Sequence, residues 1–100
     1  MATTFTVLFR GAASLTNTTL YTTPASTTTV IHSVVVSNVG ASNQSFDLSL
    51  GGVQVANDVA VPANDTLVLD FKQVLDAADL IEGLASSTDV KFHISGVEIA

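Results

Sequence analysis

The side chains able to do chemistry are few and scattered. There are two histidines, His32 and His93. His32 falls within a valine-rich run and His93 within the last apolar run, so pairing of those runs would bring them near each other. A metal or acid–base pair is one reading; a hydrogen-bonded or exposed strand histidine is the plainer one. Zinc needs three or four ligands in a definite geometry, and the chain has no cysteine to supply them. Of the nine carboxylates, Asp58, Asp65, Asp76 and Asp89 fall in predicted turns, where Asp bonds to nearby backbone. Nothing selects a glycosidase-type pair among them. No EF-hand spacing occurs, and Asp76-x-x-Asp79 alone is a weak calcium signal. No Gly-x-Ser-x-Gly elbow and no glycine-rich phosphate loop occurs. Asn17-Thr18-Thr19 and Asn64-Asp65-Thr66 match the glycosylation pattern, and without a secretory signal both read as chance matches. Tyr21 and the five phenylalanines follow the strand phase, which suits a core better than a sugar-stacking platform. The expectation is a protein with no catalytic, cofactor-binding or metal-ligating residues, acting through its surface and not as an enzyme.

Composition bounds what that surface meets. The formal net charge is −6, with Arg10, Lys72 and Lys91 as the basic residues. Nucleic-acid binding requires a basic stripe that displaces counterions, and an anionic membrane surface asks for the same. Neither partner is expected. No apolar run approaches the ~18 residues of a membrane span. The first residues alternate polar and apolar without a basic region, so no signal peptide is expected. Charged residues make up 12% of the chain, about half the usual ~25%. Much of the exterior must then be Thr, Ser, Asn and Gln, which desolvate cheaply. Depletion of charge also marks the centres of protein interfaces. One hundred residues fit one domain, 1–100, with a modest core and no disulfide. Small proteins so placed often gain stability by oligomerising.

Positioning falls to strands. Phe5, Val7 and Phe9 alternate with Thr4, Thr6 and Leu8, which predicts a strand over about 3–10, followed by a small polar loop, 11–17. Thr19 to Thr23 forms a short strand ending at Pro24. Thr28 to Val39 is the longest run. Val30, Val34 and Val36 are expected on one face; Ile31, Val35 and Val39 on the other. A run apolar on both faces is central in the fold or makes an oligomer contact. Val30, His32, Val34 and Val36 are the expected oligomer face. Phe46, Leu48 and Leu50 alternate in the next strand. Gly51-Gly52 then gives a hairpin signal before Val53 and Val55. After a turn at 62–65, Leu67, Leu69 and Phe71 face a core. In the last run Val90, Phe92 and Ile94 face it, and the parity flip after Gly96 predicts a β-bulge there. Residues 72–85 fit helical spacing, but a turn at 75–79 and a strand at 80–86 is the preferred reading. Seven to eight short strands give an all-β fold, a small antiparallel β-sandwich of jelly-roll or immunoglobulin-like type, with a small closed barrel as the alternative.

Two stretches of this pattern are familiar. One is Leu20-Tyr21-Thr22-Thr23-Pro24 with the run from Thr27 to Asn38. The other is Gly52-Val53-Gln54-Val55-Ala56, then Val61-Pro62-Ala63, Leu67 to Leu69, and the closing Ile94-Ser95-Gly96-Val97-Glu98-Ile99. Over roughly residues 18–99 the chain resembles small β-sandwich virion proteins encoded among the structural genes of tailed bacteriophages. Position 78 departs from the pattern, with alanine where glycine is expected in the turn. The resemblance implies a structural role in the virion, as a capsid cement or decoration protein, or else as a tail, neck or fibre-attachment component. It also implies a symmetric oligomer, a trimer being favoured, with the major capsid protein or other virion proteins as partners. A glycan-binding module is the reading from another class. Partner contacts are expected outside the family-like region, at Thr3, Thr4, Thr6, Leu8, Arg10, Ser14 and Asn17.

Overall fold

β-Branched residues dominate the segments that pair, and they favour extended backbone. The computed structural model describes residues 2–70 and 72–100. Among these it has nine strands and no helix. In chain order the strands are β1 (Thr3–Ala12), β2 (Thr18–Thr22), β3 (Thr28–Asn38), β4 (Gln44–Leu50), β5 (Val53–Val61), β6 (Thr66–Leu69), β7 (Val74–Leu75), β8 (Leu80–Ala85) and β9 (Val90–Ile99). Sheet A has the order β1-β9-β3-β6, with β7 pairing β3 as well; sheet B has the order β2-β8-β4-β5. Every pairing is antiparallel. The chain is thus the small antiparallel sandwich that alternation predicts, in two separate sheets and not a closed barrel.

The core lies between the sheets. Ile31, Val34 and Val36 of β3 and Val90, Phe92 and Ile94 of β9 meet Phe46 and Leu48 of β4 and Ile81 and Ala85 of β8, all buried. Each large side chain among them contributes ~1.5–3 kcal/mol of hydrophobic stabilisation. Phe46 and Phe92 cross between the sheets edge to face, with ring centroids 5.8 Å apart. At one end Asn38 is buried with all its polar atoms satisfied. Its amide donates to the carbonyls of Ser42 and Val61, at 2.8 and 3.0 Å, and its carbonyl accepts from the Gly40 amide at 3.0 Å. That one side chain ties the end of β3 in sheet A to the end of β5 in sheet B.

The turns follow local chemistry. Gly51 and Gly52 have φ of 56° and 82° and bring Leu50 opposite Val53, the hairpin that a glycine pair favours. Residues 76–79 are a turn: the Asp79 amide donates to the Asp76 carbonyl at 3.0 Å, and the Asp76 amide to the Asp79 carboxylate at 2.9 Å. Ala78 there has φ 69°, the left-handed conformation that glycine would suit better. The turn and the strand β8 replace the helical alternative for this segment. The two-residue β7 adds a strand to the number expected.

The main departure from simple alternation is in sheet A. The bulge expected at Gly96 lies instead on both neighbours of β9. Leu8 is the extra residue in β1, between the pairs Val7–Ser95 and Phe9–Ile94. His32 is the extra residue in β3, between Ile31–Gly96 and Ser33–Ser95. Gly96 explains the location. A β-carbon there would stand 2.5 Å from the Val30 carbonyl oxygen and 2.9 Å from Leu8 Cδ1. The missing side chain gives Leu8 room to turn into the core. Each bulge switches which side chains face inward. Leu8, Ile31, Val34 and Val36 are therefore buried. Phe5, expected in the core with the other phenylalanines, is 84% exposed. The expected inward position of Phe71 lies outside the described residues; Leu67 and Leu69 do pack against the core.

Candidate binding surfaces

The outer face of sheet A is built by cross-strand register. Phe5 stands opposite Val97, Val97 opposite Val30, and Val30 opposite Val74. This row puts four apolar side chains from four strands on one outward surface, and Phe5 and Val74 are largely exposed. Beside it the two bulges open a shallow groove of about 530 Å³, lined by Phe5, Thr6, Val7, His32, Ser95 and Gly96. Further along, Arg10 stands opposite His93, His93 opposite Val35, and Val35 opposite the exposed Val68. Ala12, Lys91 and Ser37 form the next row. The face is thus apolar at one end and basic at the other. No Asp or Glu occupies an outward position on its strands.

The outer face of sheet B has the opposite character. Asp47 pairs with Leu84, and Glu82 with both Ser49 and Thr19. Asp47 accepts the backbone amide of Asp58 at 2.6 Å and so holds an irregular point of β5, where Asp58 has φ 51°. No Lys, Arg or His occurs in β2, β8, β4 or β5.

One lateral side of the sandwich is formed by the edge strands β1 and β2 and the loop 13–17 that passes between the sheets. Ala13 docks its amide on the Val90 carbonyl, and the Ser14 carbonyl accepts from the Ala85 amide. The residues expected to make partner contacts divide here. Thr3, Thr4 and Arg10 are exposed on β1 and Thr6 is half-buried; Ser14 and Asn17 lie on the loop, with the Asn17 amide reaching Glu82 at 3.5 Å. Leu8 does not join them, because the bulge turns it into the core. The expected oligomer face also separates. Val34 and Val36 are fully buried, whereas Val30 and His32 look outward. Alternation counted through His32 without its extra residue places all four together. Phe5, Val7, Val74 and Val97 are the outward apolar residues that this count missed. The parity flip near Gly96 was the available signal, attached to the wrong strand.

The two histidines do share the outer face of sheet A. His93 stands opposite Val35, three residues along β3 from His32. No group of three or more metal-ligating side chains gathers among the described residues.

One polar cluster bridges the sheets. The Tyr21 hydroxyl of β2 donates to the Glu98 carboxylate of β9 at 2.5 Å and accepts from Thr29 of β3 at 2.8 Å. Burial, then the bond to Glu98, pushes the Tyr21 hydroxyl up from its ordinary value of 10.0 to about 12. It stays protonated at neutral pH and acts as a fixed donor, a pin between the sheets.

No family model matches the chain, and no curated protein matches its sequence. Among solved structures it is similar to a pentameric capsid protein isolated from metagenomic phage sequences, at 20% identity and a TM-score of 0.40, over 90% of this chain and 59% of that one. A second structure of a pentameric capsid protein from metagenomic phage sequences is 19% identical, with a TM-score of 0.34, over 90% of this chain and 63% of the other. The chain spans about three-fifths of the length of each.

Proposed function

We propose that this protein is a non-enzymatic structural component of a tailed-phage virion, a cement or decoration protein that docks on the assembled capsid shell and stabilises it. Its partner is the major capsid protein, and it works as a homo-oligomer, a trimer on the sequence reading. The single observation behind the proposal is the resemblance over residues 18–99 to small virion β-sandwich proteins, a likeness of strands and turns with no catalytic residue in it. The surface chemistry suits it. A charge-poor exterior rich in Thr and Ser forms broad contacts with little desolvation of ions.

The lateral side formed by β1 and the loop 13–17 is the proposed shell contact. Thr3, Thr4, Thr6, Ser14 and Asn17 lie along it, outside most of the family-like region; Arg10 of the same strand turns instead onto the outer face of sheet A. Each contact need not be tight, because an oligomer gripping several sites gains effective concentration, worth ~10²–10⁴ in affinity. Copy number tests the proposal. Quantitative mass spectrometry of purified particles is expected to find hundreds of copies per virion. A dozen or fewer, with density on the tail axis, would replace it by a tail or neck role.

A further inference from the structure

We propose that copies of this chain associate front to back, the outer face of sheet A on one copy seated on the outer face of sheet B on the next. The inference rests on the proposal that the protein works as an oligomer, and names the contact.

The two faces are chemically complementary. Two of the three basic residues, Arg10 and Lys91, occupy outward positions on sheet A, beside His93. Outward positions on sheet B present Asp47 and Glu82 with no cation in any of its strands. Apolar surface is matched as well: Phe5, Val97, Val30 and Val74 on sheet A, and on sheet B Leu84, directly opposite Asp47, and Ala60, opposite Ser45 nearer the start of β4. Turned end for end, one copy sets Arg10 over Glu82 and sets the Phe5 row over Ala60, since each pair of rows is four residues apart along its sheet. The row of Val7 and Ser95 between them then falls over Leu84 and Asp47.

A symmetric contact between two sheet A faces lacks this match. It sets the cations over each other or over Phe5 and the valines, with no carboxylate to receive them, and burying unpaired charge is costly. The molecule measures 45 by 21 by 18 Å, so a broad face is large enough for the ~800 Å² per partner of a standard interface. The net charge of −6 opposes association at long range. At physiological ionic strength the Debye length is ~8 Å, so the facing charges dominate once the faces meet. A contact between unlike faces repeats from copy to copy, closing into a ring where the steps are inclined and otherwise building a filament.

Complementation between two variants tests this in solution. Sedimentation velocity at physiological salt, from low to high micromolar concentration, is expected to show the wild-type mass rising above the monomer. Arg10→Glu spoils the sheet A face and Glu82→Lys the sheet B face, and each alone is expected to weaken self-association at least tenfold. An equimolar mixture is expected to restore it, since each variant keeps or matches the face the other lacks. Circular dichroism checks that both variants fold; Thr19→Lys, on the exposed position opposite Glu82, replaces Glu82→Lys if that one does not. A wild type that stays monomeric throughout would overturn the inference. So would a Glu82→Lys variant that associates as the wild type does, or a mixture that stays as weak as its components. Particle copy number is measured separately, so failure of this contact leaves the virion proposal to stand or fall by itself.

Discussion

Tyr21 joins three strands through one oxygen. Its hydroxyl serves Glu98 and Thr29 together, and Thr29 is fully buried. Tyr21→Phe keeps the ring and removes both bonds. A loss of ~1–3 kcal/mol is expected, because hydrogen bonds to charged groups are the stronger ones and buried partners are left unsatisfied; urea denaturation of both forms measures it. The pH dependence gives a second, independent reading. The hydroxyl titrates at about 12 in the folded protein, above its unfolded value near 10. Between those values the folded state holds the proton and the unfolded state releases it. The contribution is therefore complete below pH ~10 and is lost as pH rises toward ~12. The wild type should lose stability over that alkaline window by an amount absent from Tyr21→Phe. Parallel curves for the two proteins would refute the assignment. No motif announces this cluster: its members are 8 and 77 residues from Tyr21 in sequence, and only the register unites them.

At the scale of the strand, alternation was a good guide wherever the ladder is regular. β4 and the first half of β9 present the residues that period-2 counting places inward. The Gly51-Gly52 turn was equally legible, since positive φ at two successive positions is a local property. Replacing either glycine by valine is expected to cost more than ~1 kcal/mol, read as a lowered thermal midpoint; unchanged midpoints in both variants would contradict the hairpin geometry. The bulges were not legible. An extra residue is defined by the partner strand, so Leu8 and His32 look like ordinary members of alternating runs until β9 lies between them. Gly96 gave a trace of this, because its parity flip reflects the space that Leu8 fills. Gly96→Ala is expected to destabilise the domain by ~1–3 kcal/mol through overpacking against the Val30 carbonyl. A companion Leu8→Ala change relieves the contact with Leu8 Cδ1 but not that with the backbone. The double variant should therefore stay less stable than Leu8→Ala alone, and equal stability would show that the strand gives way freely.

The whole molecule has two unlike faces and a lateral edge, and each suits a different contact. In the proposed arrangement, stacked faces join copies through Phe5 and Arg10 of β1, leaving Thr4, Thr6 and the loop 13–17 along the side for the proposed shell contact. Composition alone suggested an interface-forming surface, but it could not say where, because the bulges decide which valines and which phenylalanine are exposed. The distribution of charge was hidden for the same reason. A total of −6 does not disclose that the basic residues Arg10 and Lys91 share one face. If the protein cements a shell, its binding free energy adds to the stability of the bound state over the dissociated one. Thermal rupture of particles, followed by release of their nucleic acid, measures that contribution. Particles lacking the protein are expected to assemble at normal size and to rupture at a lower temperature, with the wild-type value restored by adding purified protein back. Equal rupture temperatures with and without the protein would contradict the account.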